Sequence, residues 1–296
     1  MNSKVLSRLC IFFFGFPLVI ALILLKQYNH IVLHTVIAAA SFLASAELYN
    51  IFSHNFKLQN KGLVIVLSGL IHLTMVASAF CACFFDITPE NINTFVTAAY
   101  IGAILISLGW EVFSQNSFED SNSHIVTSIT IITYIGYLFT FLSRMTFFEH
   151  SREILIMFLT MVFLCDSLAW FFGVLFGKNN KGFIKASPNK SIAGFIGGIL
   201  GSILSGAICW YLWNAETGIQ NHIFEGSIVK LICLGAVMSL CSITGDLAES
   251  VFKRSGDCKD SGTIVPGRGG ILDSIDSIIF SAPVFYFIIT HLYQGL

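Results

Sequence analysis

Residues 245–276 read GDLAESVFKRSGDCKDSGTIVPGRGGILDSID and separate two apolar runs, SIVKLICLGAVMSLCSIT (227–244) and SIIFSAPVFYFIITHL (277–292). Six carboxylates, Asp246, Glu249, Asp257, Asp260, Asp273 and Asp276, stand in that block beside Lys253, Arg254, Lys259 and Arg268. Ionisable groups at the edge of a membrane span are costly unless they are paired, hydrated or used in a site. The block therefore fixes two things together: the flanks are membrane helices, and the segment between them is where chemistry sits.

Working outward, the same apolar character fills the chain. It is 55% hydrophobic and 11% charged, with a mean hydropathy of +0.79. Soluble domains carry about 25% charged residues, and runs near the ~20-residue bilayer length recur throughout. The fold class is an all-α polytopic integral membrane protein of about nine transmembrane helices, near 9–25, 31–51, 62–85, 95–113, 124–142, 154–176, 192–213, 227–247 and 275–293. Lys4 and Arg8 precede the run from Leu9 to Leu25 in the manner of a signal peptide. No small-residue cleavage pattern follows, so the run is read as an uncleaved first span.

Placing the N-terminus and every second loop on one face puts 12 of the 16 basic residues there. The positive-inside rule makes that face cytoplasmic, together with loops 177–191 and 248–274. The expected location is the cell's inner (plasma) membrane, with the site facing the cytoplasm. Residues 1–150 form an apolar, Phe-rich N-terminal region. Residues 151–296 form the region that carries the polar loops, and the two are read as one continuous membrane domain. A net charge of −1 with no basic tail gives no sign of a nucleic-acid partner. Seven of the eight cysteines lie in or beside apolar runs and there is no C-x-x-C pair, so they read as small packing residues. The run Gly194, Gly197, Gly198, Gly201 and Ser202 has the small-residue spacing of close helix contact in lipid.

Asp273 and Asp276 share one face if the last span starts there. Two carboxylates on one face suit Mg²⁺, which takes one or two carboxylates plus substrate phosphates. An isolated D-x-x-D reads equally as helix-start charges. Asp246 adds a third acid at the end of the eighth span, with Ser250 and Lys253 following at i+4 and i+7. Three carboxylates among several cations point to metal-assisted phosphoryl or nucleotidyl transfer, with Asp246, Asp273 and Asp276 as metal ligands. The turn Pro266-Gly267-Arg268-Gly269-Gly270 offers a backbone anion nest beside Arg268, or an ordinary turn. Asp166 inside a span is a site candidate; Glu47 and Glu111, nearer helix ends, read either as functional or as hydrogen-bonded structural acids. Gly177-Lys178 is not a P-loop, and no hydrolase triad or histidine metal motif is present in the sequence.

These residues resemble a known family. Ser250-x-Phe252-Lys253-Arg254, Lys259-Asp260-x-Gly262 and Pro266-Gly267-x-Gly269-Gly270-x-x-Asp273-x-x-Asp276 are similar to the signature of phosphatidate cytidylyltransferases, also called CDP-diacylglycerol synthases. Asp166, Trp170, Gly173, Phe176-Gly177-Lys178 and Ser187-Pro188-Asn189-Lys190-Ser191 resemble that family's second motif. The resemblance covers roughly residues 165–283. Arg268 stands where the family usually has His, Ser274 where it has Arg, and Ser191-Ile192-Ala193-Gly194 where it has Thr-Trp-Glu-Gly.

The resemblance implies the reaction CTP + phosphatidate → CDP-diacylglycerol + pyrophosphate. It implies Mg²⁺ with K⁺ alongside, and catalytic roles for Asp246, Lys253, Asp273 and Asp276. Ser250, Arg254, Lys259, Asp260, Gly267, Arg268, Gly269, Gly270, Asp166, Lys178 and Lys190 are the expected nucleotide- and phosphate-binding set. The partners are CTP, phosphatidate and the lipid bilayer, with a homodimer left open. Two other readings stand beside it: a CTP-dependent polyprenol- or phytol-type lipid kinase, and a transporter using Asp166, Glu47 and Glu111.

Overall fold

The computed structural model describes residues 15–114, 117–215 and 228–292. Helix α1 (Phe16–Leu24) is short and is followed by α2 (Ile31–Phe52), α3 (Lys61–Cys81) and α4 (Pro89–Ser114). Then come α5 (Ser121–Phe147), α6 (Ser151–Phe176), α7 (Ile192–Ala215), α8 (Ile228–Ser255) and α9 (Leu272–Leu292). Among the described residues, eight helices, α2 to α9, are long and apolar enough to cross a membrane, and extended structure is confined to two isolated bridges. The expected first span, 9–25, falls partly outside the described residues. Its described part is the nine-residue α1, shorter than the ~20 residues a crossing needs.

Helix ends depart from the hydropathy boundaries for a local reason. Apolar runs mark the stretch that lipid covers, whereas backbone hydrogen bonding continues until a cap ends it. Helix α8 accordingly runs past the expected residue 247 to Ser255. It ends where Asp257 takes the left-handed conformation, φ 51°. Cys258 N–H then bonds the Lys253 carbonyl at 2.9 Å and Asp257 N–H bonds that of Arg254 at 3.3 Å. This is the Schellman pattern, with Asp in the position usually held by Gly.

The chain divides into two compact units. The first comprises Met1–Phe147 and Val251–Ile275. Its core joins Leu67, Ile71 and Met75 of α3 to Ile92, Val96 and Ala103 of α4 and Ile132 of α5. Helix α3 starts with Asn60 accepting from Leu63 N–H, an ordinary side-chain N-cap. Helix α5 widens into a π segment at Ile132–Leu138. There the His72 imidazole bonds the Ile135 carbonyl at 3.0 Å.

The second unit comprises Phe148–Ser250 and Asp276–Leu296. Its main contact is α6 against α7, at the small-residue stripe. A Cβ on Gly197 would lie 2.6 Å from the Leu168 carbonyl oxygen, one on Gly194 would lie 2.9 Å from that of Ala169, and one on Gly201 would strike the Leu164 carbonyl. Backbone atoms cannot yield as a flexible side chain does. Gly201→Val is therefore expected to cost about 1–3 kcal/mol or more, seen as a lower thermal midpoint in detergent. Gly109→Ala, where the added Cβ meets open space, should leave the midpoint unchanged; equal midpoints for both variants would refute the close-packing account.

Candidate active site

In the second unit three carboxylates converge. Asp246 and Glu249 lie three residues apart on α8, and Asp276 faces them from α9. One carboxylate oxygen from each lies within 4.8 Å of the others. Glu249 is fully buried and Asp276 is 6% exposed. Gly245 makes the meeting possible: a Cβ there would lie 2.8 Å from the Asp276 carbonyl oxygen and 3.1 Å from Ser277 Cα. Only a glycine lets the two helices cross this closely. Lys190, in the loop before α7, reaches Asp246 Oδ2 at 2.7 Å. That loop is tied back by the Lys181–Ser191 bridge, and Ser191 Oγ accepts from Gly194 N–H at 3.1 Å. Ser242 Oγ donates to Asp166 Oδ1 at 3.4 Å.

The donor set is all hard oxygen, partly buried and from two helices, which fits Mg²⁺ better than a soft metal. Glu249 was absent from the sequence-derived ligand set. The signal for it was present: D-x-x-E at 246–249 repeats the spacing of D-x-x-D at 273–276.

In the first unit Asp273 is enclosed by donors. Lys253 Nζ meets its Oδ1 at 2.6 Å. Its Oδ2 accepts from Ser261 N–H at 2.8 Å, Gly270 N–H at 2.7 Å and Ser261 Oγ at 2.9 Å. Gly269 has φ 118°, and a Cβ there would run into the Asp273 carboxylate. Val265-Pro266-Gly267-Arg268 is a turn with Pro at its second position and Gly267 at φ 79°, closed by Arg268 N–H to the Val265 carbonyl at 3.1 Å. This combination marks a type II turn. Gly269 N–H also bonds Val265 O, at 3.0 Å. The amides of Arg268, Gly269 and Gly270 thus serve the loop's own structure, and the anion nest read from the sequence is not formed by them here. Lys259 and Asp260 are exposed, and the Arg254 guanidinium donates to the Cys258 carbonyl at 3.3 Å. Ser250 is buried on α8 and Lys178 is exposed just after α6.

The other two membrane acids are also held. Glu111 accepts from Gln59 Nε2 at 2.9 Å and pairs with His124 at 2.8 Å. Glu47 accepts from Ser261 Oγ and from the amides of Ile271 and Leu272. Acids locked to donors in this way do not make the open file of sites that a transport pathway needs.

The family model described as the cytidylyltransferase family matches residues 6–292. The chain belongs to the cytidylyltransferase family. It is 35% identical over 200 residues to a phosphatidate cytidylyltransferase of Staphylococcus epidermidis, covering 66% of this chain and 72% of that one. It is 34% identical over 200 residues to the phosphatidate cytidylyltransferase of Staphylococcus aureus, with the same coverage. It is 33% identical over 189 residues to that of Rickettsia felis, covering 64% and 80%. The cytidylyltransferase match begins at residue 6, so it includes the N-terminal helices that the motifs alone leave out. With eight apolar helices long enough to span, this family member is an integral membrane protein.

Proposed function

We propose that the protein is a phosphatidate cytidylyltransferase that makes CDP-diacylglycerol and pyrophosphate from CTP and phosphatidate. The observation that carries this reading is the group Asp246, Glu249 and Asp276 within a cytidylyltransferase chain. Those three residues are the proposed holders of Mg²⁺, with K⁺ as the accompanying ion. Bound Mg²⁺ would neutralise charge on the triphosphate as pyrophosphate leaves. The lipid phosphate, already ionised at neutral pH, attacks the α-phosphorus of CTP. The new P–O bond forms as the bond to the β-phosphate bridge breaks, and the chain need supply no general base. Lys190, Lys253, Arg254, Lys259 and Arg268 are the proposed phosphate contacts. Arg268 offers a bidentate fork where the resembling family usually has an imidazole.

Residues 9–25 are proposed as a ninth span, with the N-terminus and the loops 177–191 and 256–271 cytoplasmic in the plasma membrane. Cysteines introduced at Ser3 and Asn179 should then both be labelled from the cytoplasmic side; labelling from opposite sides would remove that span, and labelling of both from the outside would invert the topology.

The reaction itself is tested with purified protein in mixed micelles of phosphatidate, Mg²⁺ and CTP labelled at either the α- or the γ-phosphate. Transfer of the α label to lipid with release of pyrophosphate is expected. Transfer of the γ label would instead make the protein a lipid kinase.

A further inference from the structure

Glu47 lies on α2, 214 residues before Ser261 in sequence, yet it is joined to the loop that carries the motif. It is 6% exposed. Its Oε1 accepts from Ile271 N–H at 3.0 Å. Its Oε2 accepts from Leu272 N–H at 2.8 Å and from Ser261 Oγ at 2.9 Å. Leu272 is the first residue of α9, so a carboxylate from another helix satisfies amide groups that a helix start leaves without intrahelical partners. It also places negative charge at the positive end of the helix. The approach is possible because the loop has no side chain where it touches the acid. A Cβ on Gly262 would lie 2.5 Å from Oε1, and one on Gly270 would collide with Oε2.

We propose that Glu47 is a positioning residue for the cytidylyl-transfer site, holding Ser261 and the first turn of α9 so that Asp273 keeps Lys253 in place. The proposal rests on the reaction assigned above. The geometry forms a chain of contacts. Ser261 Oγ lies 2.9 Å from Glu47 Oε2 and 2.9 Å from Asp273 Oδ2. Ser261 N–H binds the same Asp273 oxygen at 2.8 Å, leaving Oδ1 for Lys253 Nζ at 2.6 Å. A hydroxyl has one proton to donate, so its orientation depends on both acids. Glu47 therefore reaches Lys253 through Ser261 and Asp273, without itself being a phosphate ligand. A residue whose only work is to hold the fold would show its loss in stability. A positioning residue shows it in kcat.

Glu47→Gln keeps the side-chain shape but turns an NH₂ toward one of the donors. The expected result is a roughly 10- to 100-fold drop in kcat, the scale on which the supporting partners of an active group are felt, with KM for phosphatidate close to wild type and a thermal midpoint lowered no more than in Glu111→Gln. Glu47→Asp should recover part of kcat. Glu111→Gln supplies the comparison, since Glu111 is equally buried but bonds Gln59 and His124 instead of the loop. It should lower the midpoint and leave kcat near wild type. If Glu47→Gln fails to fold, Ser261→Ala removes the hydroxyl between the two acids and should lower kcat in the same range.

A second readout is independent of turnover. The Cys258 thiol lies in this loop, and its rate of maleimide alkylation, followed by mass spectrometry, should rise severalfold in Glu47→Gln. Wild-type kcat in Glu47→Gln or in Ser261→Ala overturns the proposal, as does an unchanged Cys258 rate. If the wild-type protein transferred no cytidylyl group while the Cys258 rate still rose, the reaction assignment would fall and the positioning of the loop by Glu47 would stand.

Discussion

Asp276→Asn should reduce cytidylyl transfer by on the order of 10³-fold, the scale on which loss of one cation that offsets charge in phosphoryl transfer is felt, since this carboxylate is proposed to hold that cation. Expression and helix content should stay at wild-type levels. Asp276 is 6% exposed, and its carboxylate shares the 4.8 Å group with Asp246 and Glu249. Three carboxylates so close repel one another in a low-dielectric setting unless cations offset them. Removing one charge eases that repulsion, so stability should hold or rise while affinity for a divalent ion falls. The two effects oppose each other, which separates a metal role from a folding role. Turnover and Mn²⁺ binding to the purified variant, without nucleotide, measure both. Wild-type turnover, or Mn²⁺ affinity equal to wild type, would falsify the assignment of Asp276 as a ligand.

The sequence reveals some of this arrangement and conceals the rest for physical reasons. Apolar runs reveal the eight long helices found among the described residues because lipid demands about 20 apolar residues per crossing. The glycine stripe of α7 is legible for a similar reason: close contact in lipid requires small residues at fixed spacing. The spacing of Asp273 and Asp276 is also legible, but spacing fixes only where their Cα atoms lie. It does not say which donors draw each carboxylate. Asp273 is bound by Lys253, Ser261 and Gly270, whereas Asp276 joins Asp246 and Glu249. Glu249 was within reach of the same spacing argument. Glu47 was not, because its partners Ser261, Ile271 and Leu272 follow it by more than 200 residues and no local pattern links a membrane acid to a distant helix start. The Pro-Gly turn shows a different limit. Its residues predict the turn type but not that its amides bond Val265 and Asp273 instead of an anion.

The second large effect is expected at the Lys253–Asp273 pair, where single substitutions should cost more stability than the double one. Both side chains are largely buried, at 12% and 6% exposure, with Nζ and Oδ1 2.6 Å apart. Removing one partner of such a pair strands the other charge, at about 3–5 kcal/mol. Asp273→Leu leaves Lys253 without its carboxylate and also frees the amides of Ser261 and Gly270. Lys253→Met leaves Asp273 charged but still bound by those amides, so it should be the milder of the two in stability. The double variant removes both charges and should recover much of the loss, since an apolar pair of similar volume often replaces a buried ion pair without penalty. Activity should not follow. All three variants should fall by orders of magnitude in turnover, because the ammonium proposed to meet phosphate, or the acid that aims it, is gone. Thermal midpoints and α-labelled CTP transfer, measured on the same four proteins, give the coupling in each quantity. Stability that recovers while activity stays lost would place the pair in the reaction. Strictly additive losses of stability would mean that the two side chains are not coupled, and turnover that returns in the double variant would mean that the ion pair serves the loop's structure alone.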